Sequence, residues 1–477
     1  MKNAQPQYDV QNIQNPLVLN VENLRPSDIF DVIIIGGGVT GAGTARDCAM
    51  RGFKTLLIER GRPGGATTAA STHLIHGGLR YLLYDRLTTH MTCWDSGHIL
   101  RIAGNLLTRM PILWPVYDWH SHGLETVETL LESYDYFQRM KGGRKHLRIS
   151  SRAVLELVPD LEPEGLTGGV LFDEWWVDPL LLVDKNLDSA RRHGARVETG
   201  LSVERLVMEG KNVRGVFAGG KEIRSRIVIN AAGPWVGGVA AMAGADIPLR
   251  LRQGTHLIYK RHLVPVGLLL EAVEKGRYIF TIPFKDGTLV GPTDVDAGET
   301  PANVKTSPAE IESLSQTARF YLQNLPERHD STIVGARPIL GRGGDERFLS
   351  RQYEVFDHES RDGIRGLVSI GGGKMSDFRA MAEAAADAAG AKLGRAALCR
   401  TRGETLDGKP VESGPDSPKP SALLRRIFRA RPRLRQLHAL AYLAAGSIRH
   451  WRRKVRRETL DEASAVRKYY GLPGADS

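Results

Sequence analysis

A short apolar stretch that runs into closely spaced glycines constrains this chain more than any other feature. Residues 32–35 are Val-Ile-Ile-Ile, a β-branched run typical of a buried parallel strand. Gly36, Gly38 and Gly41 follow at the spacing G-x-G-x-x-G. The first glycine permits a tight turn, the second a close approach of a pyrophosphate, and the third the packing of a helix on the strand. The pattern predicts a dinucleotide site at the helix N-terminus.

The following residues complete a β–α–β unit. Gly52 ends the predicted helix, and residues 55–58 form a second apolar strand that leads into Glu59. Glu59 lies eighteen residues after Gly41, where an acidic side chain accepts hydrogen bonds from the hydroxyls of an adenosine ribose. Strand, turn, helix, strand and acid in register favour a nucleotide site over a structural glycine turn. The segment by itself does not distinguish NAD from FAD.

Composition indicates a soluble protein with a large core. The 477 residues are enough for two or three domains, and 42% hydrophobic with 25% charged residues is ordinary for a globular chain. Cys48, Cys93 and Cys399 lie far apart without a C-x-x-C pair, which argues against a disulfide framework and against a zinc or iron–sulfur site. We therefore expect a reducing compartment and no metal.

The net charge of +11 comes from one end of the chain. Twelve Lys or Arg and no acidic residue lie between Arg425 and Arg457, and removing these twelve from the total of 65 leaves 53 basic against 54 acidic residues. Residues 1–30 lack the pattern of a signal peptide, and we find no run of about eighteen apolar residues that would span a membrane.

The pattern along the rest of the chain predicts alternating elements. Residues 85–140 are expected to be mostly helical, with Pro111 and Pro115 marking a break. Asp178 is a candidate N-cap for a helix over residues 180–193. The other expected strands cover residues 196–201, 203–208, 213–217, 222–229, 255–259, 278–283, 288–291 and 367–370, and the other expected helices residues 308–325 and 379–393.

Two of these strands also end in glycines, at Gly233 and at residues 371–373. Glycines at a strand end permit a ligand to approach the backbone. Because the three glycine turns are far apart in sequence, an extended FAD fits them better than a small NAD domain does.

Four separated motifs resemble the FAD-dependent, quinone-linked glycerol-3-phosphate dehydrogenases, over roughly residues 30–395. They are residues 41–47 (Gly-Ala-Gly-Thr-Ala-Arg-Asp), 74–81 (Leu-Ile-His-Gly-Gly-Leu-Arg-Tyr), 335–339 (Gly-Ala-Arg-Pro-Ile) and 372–379 (Gly-Gly-Lys-Met-Ser-Asp-Phe-Arg). Four motifs in the order of the family are more specific than any single one.

The resemblance implies a mixed α/β (α+β) fold. We expect a Rossmann-like FAD-binding domain, an inserted, mostly antiparallel substrate domain and a basic helical C-terminal tail. The expected divisions are a polar N-terminal extension (1–30), FAD-binding segments (31–110, 176–245 and 351–400), a helical substrate-domain segment (111–175), the antiparallel domain (246–350), a linker (409–420) and the tail (421–477).

The resemblance also implies the reaction, in which sn-glycerol 3-phosphate is oxidised to dihydroxyacetone phosphate and quinone receives the electrons. Hydride transfer to flavin N5 requires a group that takes the hydroxyl proton or stabilises an alkoxide. His256, whose ordinary pKa is about 6.5, is the candidate base. The residues expected at the substrate are Arg80, Tyr81, His256, Arg337, Arg351 and Lys374, of which Arg80, His256, Arg337 and Lys374 are the catalytic candidates.

The residues implied at FAD fall into three groups. Gly36, Gly38, Gly41 and Glu59 would hold the adenosine diphosphate half, together with a backbone contact from Val203 to adenine. The hydroxyls of Thr67, Thr68 and Ser71 would face the flavin, and Gly233, Gly373 and Lys374 would approach the ribityl chain and the ring. The role of His76 is open.

Two residues and one tripeptide depart from the family pattern, so other substrates are also considered. His73 stands where the family commonly has lysine, and Pro292 stands where a threonine is usual. Residues 376–378, Ser-Asp-Phe, replace Thr-Thr-Tyr and put a carboxylate near the expected flavin. A related flavin oxidase or dehydrogenase for another hydroxy acid or an amine is the alternative, and a poorly catalytic flavoprotein that docks through its tail is a second one.

The tail mixes apolar residues with most of its twelve cations, as a basic interfacial helix pair does. A solvated helical subdomain and a nucleic-acid surface are the other interpretations. Because the family passes electrons to membrane quinone, we expect peripheral attachment to the inner face of the cytoplasmic membrane, a cytoplasmic location and no nucleic-acid partner. The sequence does not indicate the oligomeric state.

Overall fold

The computed structural model describes residues 29–274, 276–298, 300–341, 352–412, 419, 421–453 and 459–472. The strands of these residues are β1 (Ile29–Ile35), β2 (Thr55–Glu59), β3 (Leu74–Ile75), β4 (Leu107–Tyr117), β5 (Leu147–Ile149), β6 (Leu166–Val177), β7 (Arg196–Thr199), β8 (Val203–Glu209), β9 (Asn212–Ala218), β10 (Lys221–Asn230), β11 (Leu249–Tyr259), β12 (Gly267–Glu271), β13 (Tyr278–Phe284), β14 (Gly287–Gly291), β15 (Val295–Asp296), β16 (Ser331–Leu340), β17 (Tyr353–Asp357) and β18 (Leu367–Gly372). The helices are α1 (Val39–Met50), α2 (Arg86–Ala103), α3 (Leu124–Gln138), α4 (Ser151–Leu157), α5 (Pro179–Arg192), α6 (Val236–Ala241), α7 (Pro308–Tyr321), α8 (His358–Asp362), α9 (Phe378–Lys392), α10 (Ala422–Ala430), α11 (Pro432–Arg453) and α12 (Ala463–Tyr470).

The first sheet is a largely parallel sheet with β1 near its centre. Its order is β17-β18-β10-β1-β2-β7, and the hairpin β8–β9 extends β10. Strands β18, β10, β1, β2 and β7 run parallel, so their carboxyl ends lie along one edge. Ligands of such sheets bind at this edge, outside the carboxyl ends of the strands.

The second sheet is mostly antiparallel and has the order β15-β11-β14-β13-β12-β4-β6-β3, with β16 on β11 and β5 on β6. The long pairs are β11 with β16 and β4 with β6. The mixed α/β architecture with a helical C-terminal region confirms the predicted fold class.

The elements predicted from periodicity are present with small shifts of their ends. The helix predicted after Asp178 is α5, and the Asp178 carboxylate accepts hydrogen bonds from the backbone of Leu180 (2.9 Å) and Leu181 (3.2 Å). Strands β7 to β10 follow in the predicted order. Local signals were sufficient here because capping and apolar periodicity agree.

The expectation of mainly helical structure over residues 85–140 is wrong in its middle part. Residues 107–117 form β4, which contains both Pro111 and Pro115. Its neighbour β12 pairs with β4 only at Ile112 and Leu113, so most of one hydrogen-bonding edge of β4 needs no N–H donor. The segment 111–175, expected to be helical, likewise supplies β5 and β6 to the second sheet.

The basic tail packs on the rest of the chain. In α11, the Tyr442 hydroxyl donates to the carbonyl of Ser133 on α3 (2.8 Å), and Arg435 forms a buried ion pair with Asp85 (3.5 Å). In α12, Val466 is buried in the core beneath the second sheet. The predicted linker, residues 409–420, lies partly outside the described residues.

In the described part of the chain, we find no helix that is both long and apolar enough to cross a membrane.

A buried ion pair joins α2 to α9 close to the carboxyl edge of the first sheet. Arg379 Nε donates to Asp95 Oδ1 (2.7 Å), and its Nη1 donates to Glu383 Oε2 (2.7 Å). The side chains of Arg379 and Asp95 are 1% and 0% exposed. Removing one partner of such a pair leaves a charge buried without compensation.

We expect Arg379→Met to lower the free energy of unfolding by about 3–5 kcal/mol, since Asp95 would lose its counter-ion. Denaturant unfolding followed by fluorescence measures the change. Arg191→Met is the matched control, because Arg191 pairs with Asp188 (3.1 Å) on the exposed face of α5 and such a pair contributes about 0–1 kcal/mol. Equal losses in the two variants would contradict the structural role of the buried pair.

Candidate active site

A cavity of about 680 Å³ runs along the carboxyl edge of the first sheet and over one face of the second. It begins at the turn after β1, passes the ends of β2, β10 and β18, and ends among side chains of β4, β6, β12 and β13. Most of the residues predicted for cofactor and substrate line it, namely Gly36, Gly38, Glu59, Thr67, Thr68, Ser71, Val203, Gly233, Gly373, Lys374, Arg80, Tyr81, His256 and Arg337.

Among the described residues, one predicted site residue is not in its lining. Gly41 lies behind the turn, where a Cβ atom would overlap the carbonyl oxygen of Gly36. Arg351, predicted at the substrate, lies outside the described residues. Gly41 therefore takes the helix-packing position that the glycine spacing indicates.

The turn after β1 brings three backbone segments together. Gly36 has φ +103°, and a Cβ there would lie 2.7 Å from the carbonyl oxygen of Ala231, which follows β10. At Gly38 the nearest atom to a Cβ is Thr68 Oγ1 at 3.4 Å, so this glycine faces the cavity. The backbone is thus exposed to a ligand where the N-terminus of α1 begins.

Glu59 holds this turn from the end of β2. Its Oε2 accepts a hydrogen bond from the backbone of Gly37 (2.6 Å), and its Oε1 accepts one from the backbone of Gly61 (2.8 Å). Each carboxylate oxygen has a second lone pair for a ligand hydroxyl. Nearby, the guanidinium of Arg60 lies 3.9 Å above the ring of Trp235, and both side chains line the cavity.

The hydroxyl-bearing loop connects the two sheets. Thr68 Oγ1 accepts from the backbone of Val39 (3.2 Å) at the start of α1, and Thr67 Oγ1 donates to the carbonyl of Ala336 (2.7 Å) on β16. A Cβ at Gly335 would lie 2.5 Å from Ala70 Cβ, so β16 and the loop are in close contact. This packing fixes the distance between the nucleotide turn and Arg337.

Lys374 lies where β18 leads into α9. Its Nζ donates to Thr92 Oγ1 (2.7 Å) on α2 and lies 4.2 Å from the centroid of the Tyr81 ring. Arg80 precedes Tyr81 on the short 3₁₀ turn 79–83, which begins after Gly78 at φ +71°. A cation over an aromatic face is attracted by the ring quadrupole, which fixes the ammonium and Tyr81 together.

Arg337 on β16 crosses over Gly254 on the paired strand β11. A Cβ at Gly254 would overlap the guanidinium, so only glycine leaves room for it. Arg337 Nη1 donates to the carbonyls of Gln253 (3.3 Å) and Thr293 (3.1 Å) and lies 3.6 Å from Asp294 Oδ1. Arg252 also donates to Asp294 Oδ1 (3.0 Å), so two guanidinium groups interact with the same carboxylate.

His256 differs from its predicted state. Its Nε2 lies 2.9 Å from Thr72 Oγ1, and its Nδ1 has no hydrogen-bond partner among the described residues. Burial, with a smaller contribution from the nearby Arg337 guanidinium, lowers the pKa of His256 well below its ordinary value. The pKa of His256 in the protein therefore lies below the ordinary value, and the imidazole is neutral at pH 7.

The departures from the family pattern take different positions. His73 is buried behind the loop, where its Nε2 lies 3.1 Å from the carbonyl of Ala69 and burial lowers its pKa to about 4. Pro292 lines the cavity. Asp377 is buried, accepts from the backbone of Lys374 (2.7 Å) and has its pKa raised to about 6, mainly by burial.

A buried acid–base pair beneath the 76–78 turn was missed from the sequence. Glu174 lines the cavity, forms an ion pair with Lys141, and accepts from the Tyr134 hydroxyl (2.9 Å) and the backbone of Gly77 (3.2 Å). Both charged side chains are at most 2% exposed. Two adjacent acidic residues, Asp173 and Glu174, within the largely apolar sequence of β6 were the available signal for Glu174, whereas nothing local marks Lys141.

An apolar shelf in the cavity was also missed. We define it as Trp114, Phe172, Leu269, Tyr278 and Phe280, which line the cavity from β4, β6, β12 and β13. The pairs Leu269–Phe280 and Ile112–Phe172 are directly opposite in the sheet, which puts these side chains on one face. Their common face could not be read before the strand order was known.

These features define a class of protein. The protein has a parallel sheet with a glycine turn, an acidic residue at the end of β2, and a cavity that continues over a second sheet. This arrangement is typical of proteins that bind an extended dinucleotide next to a substrate. The family described as FAD dependent oxidoreductase matches residues 31–388, about three quarters of the chain, and the protein belongs to this family.

Two relatives of known name are both glycerol-3-phosphate dehydrogenases. The chain is 29% identical to anaerobic glycerol-3-phosphate dehydrogenase subunit A1 of Haloferax volcanii, over 79% of this chain and 66% of that protein. It is also 29% identical to aerobic glycerol-3-phosphate dehydrogenase of Staphylococcus aureus, over 82% of this chain and 73% of the relative. The chain thus spans about two thirds of the archaeal relative.

Among solved structures, glycerol-3-phosphate dehydrogenase from Bacillus halodurans in complex with FAD superposes with a TM-score of 0.64 at 25% identity, covering 79% of this chain and 68% of that one. Glycine oxidase from Bacillus cereus superposes with a TM-score of 0.59 at 19% identity, covering 76% and 95%, which shows a common fold.

The residues present fit the FAD of the family. The backbone at Gly38 faces open space at the start of α1, and at Gly233 no atom lies within 4 Å of a Cβ position. Glu59 at one end and Lys374 at the other lie in the same cavity, which matches an elongated ligand.

We expect Gly36→Ala to lose most of its FAD. The new Cβ would press on the Ala231 carbonyl at 2.7 Å in a backbone conformation that alanine rarely adopts. The ratio of flavin to protein absorbance after purification, and the affinity of the apoprotein for added FAD, measure the effect.

The matched control is Gly52→Ala, because Gly52 also has positive φ (+78°) but no atom lies within 4 Å of its Cβ position. This variant carries the backbone strain without the clash and should retain FAD. Equal loss of flavin in both variants would assign the effect to strain and not to the nucleotide turn.

Proposed function

We propose that this protein oxidises sn-glycerol 3-phosphate to dihydroxyacetone phosphate and passes the electrons to a quinone. The observation that carries the proposal is the presence of Arg80, Arg337 and Lys374 in one cavity with a neutral imidazole. The names of the relatives support the same substrate.

In this proposal, the cationic side chains of the cavity bind the phosphate group of the substrate. Guanidinium groups present paired N–H donors that match phosphate oxygens, and a partly buried site makes each charged hydrogen bond stronger than in water. Arg337 donates to the carbonyls of Gln253 and Thr293 on one side, so its direction is set before substrate arrives. Asp294 limits the net positive charge, and Arg252 offsets that carboxylate.

His256 is proposed to orient the reacting hydroxyl. The imidazole is neutral, its Nε2 lies against the Thr72 hydroxyl, and its Nδ1 is buried with no hydrogen-bond partner among the described residues. Its low pKa makes it a weak base, so we infer that His256 helps to orient the hydroxyl while the nearby cations stabilise the developing alkoxide, and the hydroxyl proton passes to water. When bound, FAD supplies the acceptor for the hydride that leaves the alcohol carbon.

Anaerobic reduction of the flavin tests the reaction. Glycerol 3-phosphate added to the oxidised holoenzyme without oxygen or quinone should bleach the visible flavin absorption and yield one dihydroxyacetone phosphate per flavin. Bleaching by a hydroxy acid or an amine with no response to glycerol 3-phosphate would overturn the proposal and favour the alternative flavin enzyme.

Arg337→Ala should raise the KM for glycerol 3-phosphate by about tenfold to a hundredfold, the effect of losing one charged hydrogen bond. Rapid-mixing measurement of flavin reduction against substrate concentration gives the value. Arg250→Ala is the matched control, since Arg250 lies on the neighbouring β11, pairs with Asp296 (2.7 Å) and is outside the cavity lining. An unchanged KM in Arg337→Ala would remove its role in phosphate binding.

The proposals of a quinone as electron acceptor and of a membrane location are based on the basic C-terminal tail. Leu423 on α10 and Leu437, Leu440 and Ile448 on α11 are exposed large apolar side chains, while Arg435 and Tyr442 fix α11 to the body of the protein. Exposed apolar residues beside cations are typical of helices that lie on an anionic membrane. We infer attachment at the inner face of the cytoplasmic membrane, where quinone is available.

Leu437→Ser combined with Leu440→Ser should weaken binding to vesicles that contain anionic lipid by at least about tenfold, because each leucine would otherwise leave water on binding. Co-sedimentation measures the affinity. Leu398→Ser is the matched control, as Leu398 is 85% exposed but lies outside the tail helices. Unchanged vesicle binding by the double variant would refute attachment through this face of α11.

A further inference from the structure

The substrate end of the cavity is lined by apolar side chains for which glycerol 3-phosphate has no apolar partner. Each carbon of that molecule carries oxygen, so it has no apolar end to place against hydrocarbon. The apolar shelf (Trp114, Phe172, Leu269, Tyr278 and Phe280) nevertheless lines the same cavity as the cations. Apolar surface that stays wet beside a bound substrate forgoes about 25 cal/mol per Å², which a matching ligand would recover.

The strand register connects the shelf directly to the reacting end. His256 on β11 lies beside Gly291 on β14, Gly291 lies opposite Phe280 on β13, and Phe280 lies opposite Leu269 on β12. Paired residues share a face, so His256, Phe280 and Leu269 form one cross-strand row. Gly291 has no side chain in this row, and a Cβ there would lie 3.0 Å from Cδ2 of the His256 ring.

The shelf continues from Leu269 to the next strands. Leu268 pairs with Leu113, so Trp114 follows on the same face, and its ring centroid lies 5.0 Å from that of Tyr278 in an edge-to-face arrangement. Leu83, which is 43% exposed, and Arg80 lie on the turn at the mouth of the cavity. A ligand in contact with His256 and Arg80 therefore lies beside an apolar surface that spans four strands.

We propose that this site also accepts a phosphorylated secondary alcohol that carries an apolar group, an aromatic ring or a short alkyl chain, which packs on the apolar shelf. This inference rests on the proposed function, since it keeps the secondary alcohol and the phosphate and adds a third recognition element. A quinone ring is the other candidate occupant, and the experiment separates the two.

Calorimetric titration of the oxidised holoenzyme with phenyl phosphate and with inorganic phosphate tests the proposal without turnover. Phenyl phosphate should bind roughly tenfold to a hundredfold more tightly, as expected for burying one phenyl ring. The heat-capacity change on binding should also be more negative for phenyl phosphate, because that change reports apolar burial. Equal affinities and equal heat-capacity changes would overturn the proposal.

Phe280→Asn should remove most of the advantage of phenyl phosphate and leave the affinity for inorganic phosphate unchanged. Tyr278→Asn, at a second shelf position that is only partly buried, is the alternative variant if Phe280→Asn fails to fold. Retention of the full advantage in the folded variants would exclude the shelf as the binding surface. Tight binding of menadione that Phe280→Asn abolishes, without any advantage for phenyl phosphate, would assign the shelf to the acceptor and overturn the proposal.

The outcome is separable from that of the proposed function. Flavin bleaching by glycerol 3-phosphate together with equal affinities for the two phosphates would retain the reaction and reject the apolar group. Tight binding of phenyl phosphate with no bleaching by glycerol 3-phosphate would support the shelf and reject glycerol 3-phosphate as substrate.

Discussion

The close approach of three backbone segments without side chains between them is the constraint on which this structure depends. At the end of β1, Gly36 contacts the carbonyl of Ala231 after β10, and Gly41 on α1 contacts the carbonyl of Gly36. Any Cβ at either glycine would move α1 or β10 away from the carboxyl edge. Because the loop with Thr67 and Thr68 is anchored to both α1 and β16, such a shift would also move the substrate end.

The substrate end is built on a balance of charge and desolvation. Arg337 and Arg252 share Asp294, whereas Lys374 has a hydroxyl and an aromatic ring as its neighbours. Burial keeps His256 neutral beside these cations, since a second positive charge there would be both desolvated and repelled. The site can therefore hold positive charge for an anion without protonating His256.

Sequence reasoning succeeded where the signal is local. The glycine spacing, the acid at Glu59 and the N-cap at Asp178 each depend on the backbone within a few residues, and the structure has the predicted turn, strand end and helix start at these positions. It failed for β4, because Pro111 and Pro115 are local breakers, whereas the short pairing with β12 that tolerates them depends on a segment some 150 residues away. The lowered pKa of His256 could not be predicted for the same reason, since burial is a property of the whole fold.

By itself, the sequence determined the dinucleotide turn, the family to which the chain belongs and the charged residues of the candidate site. Only the tertiary structure decided that Glu174 pairs with the distant Lys141, that Arg337 lies over Gly254, and that the apolar shelf lies on the same face of the sheet as His256. Glycine spacing and charge can be read directly from residues that are close together in the sequence. A common face of several strands exists only after strand order and register have brought residues from distant parts of the chain side by side.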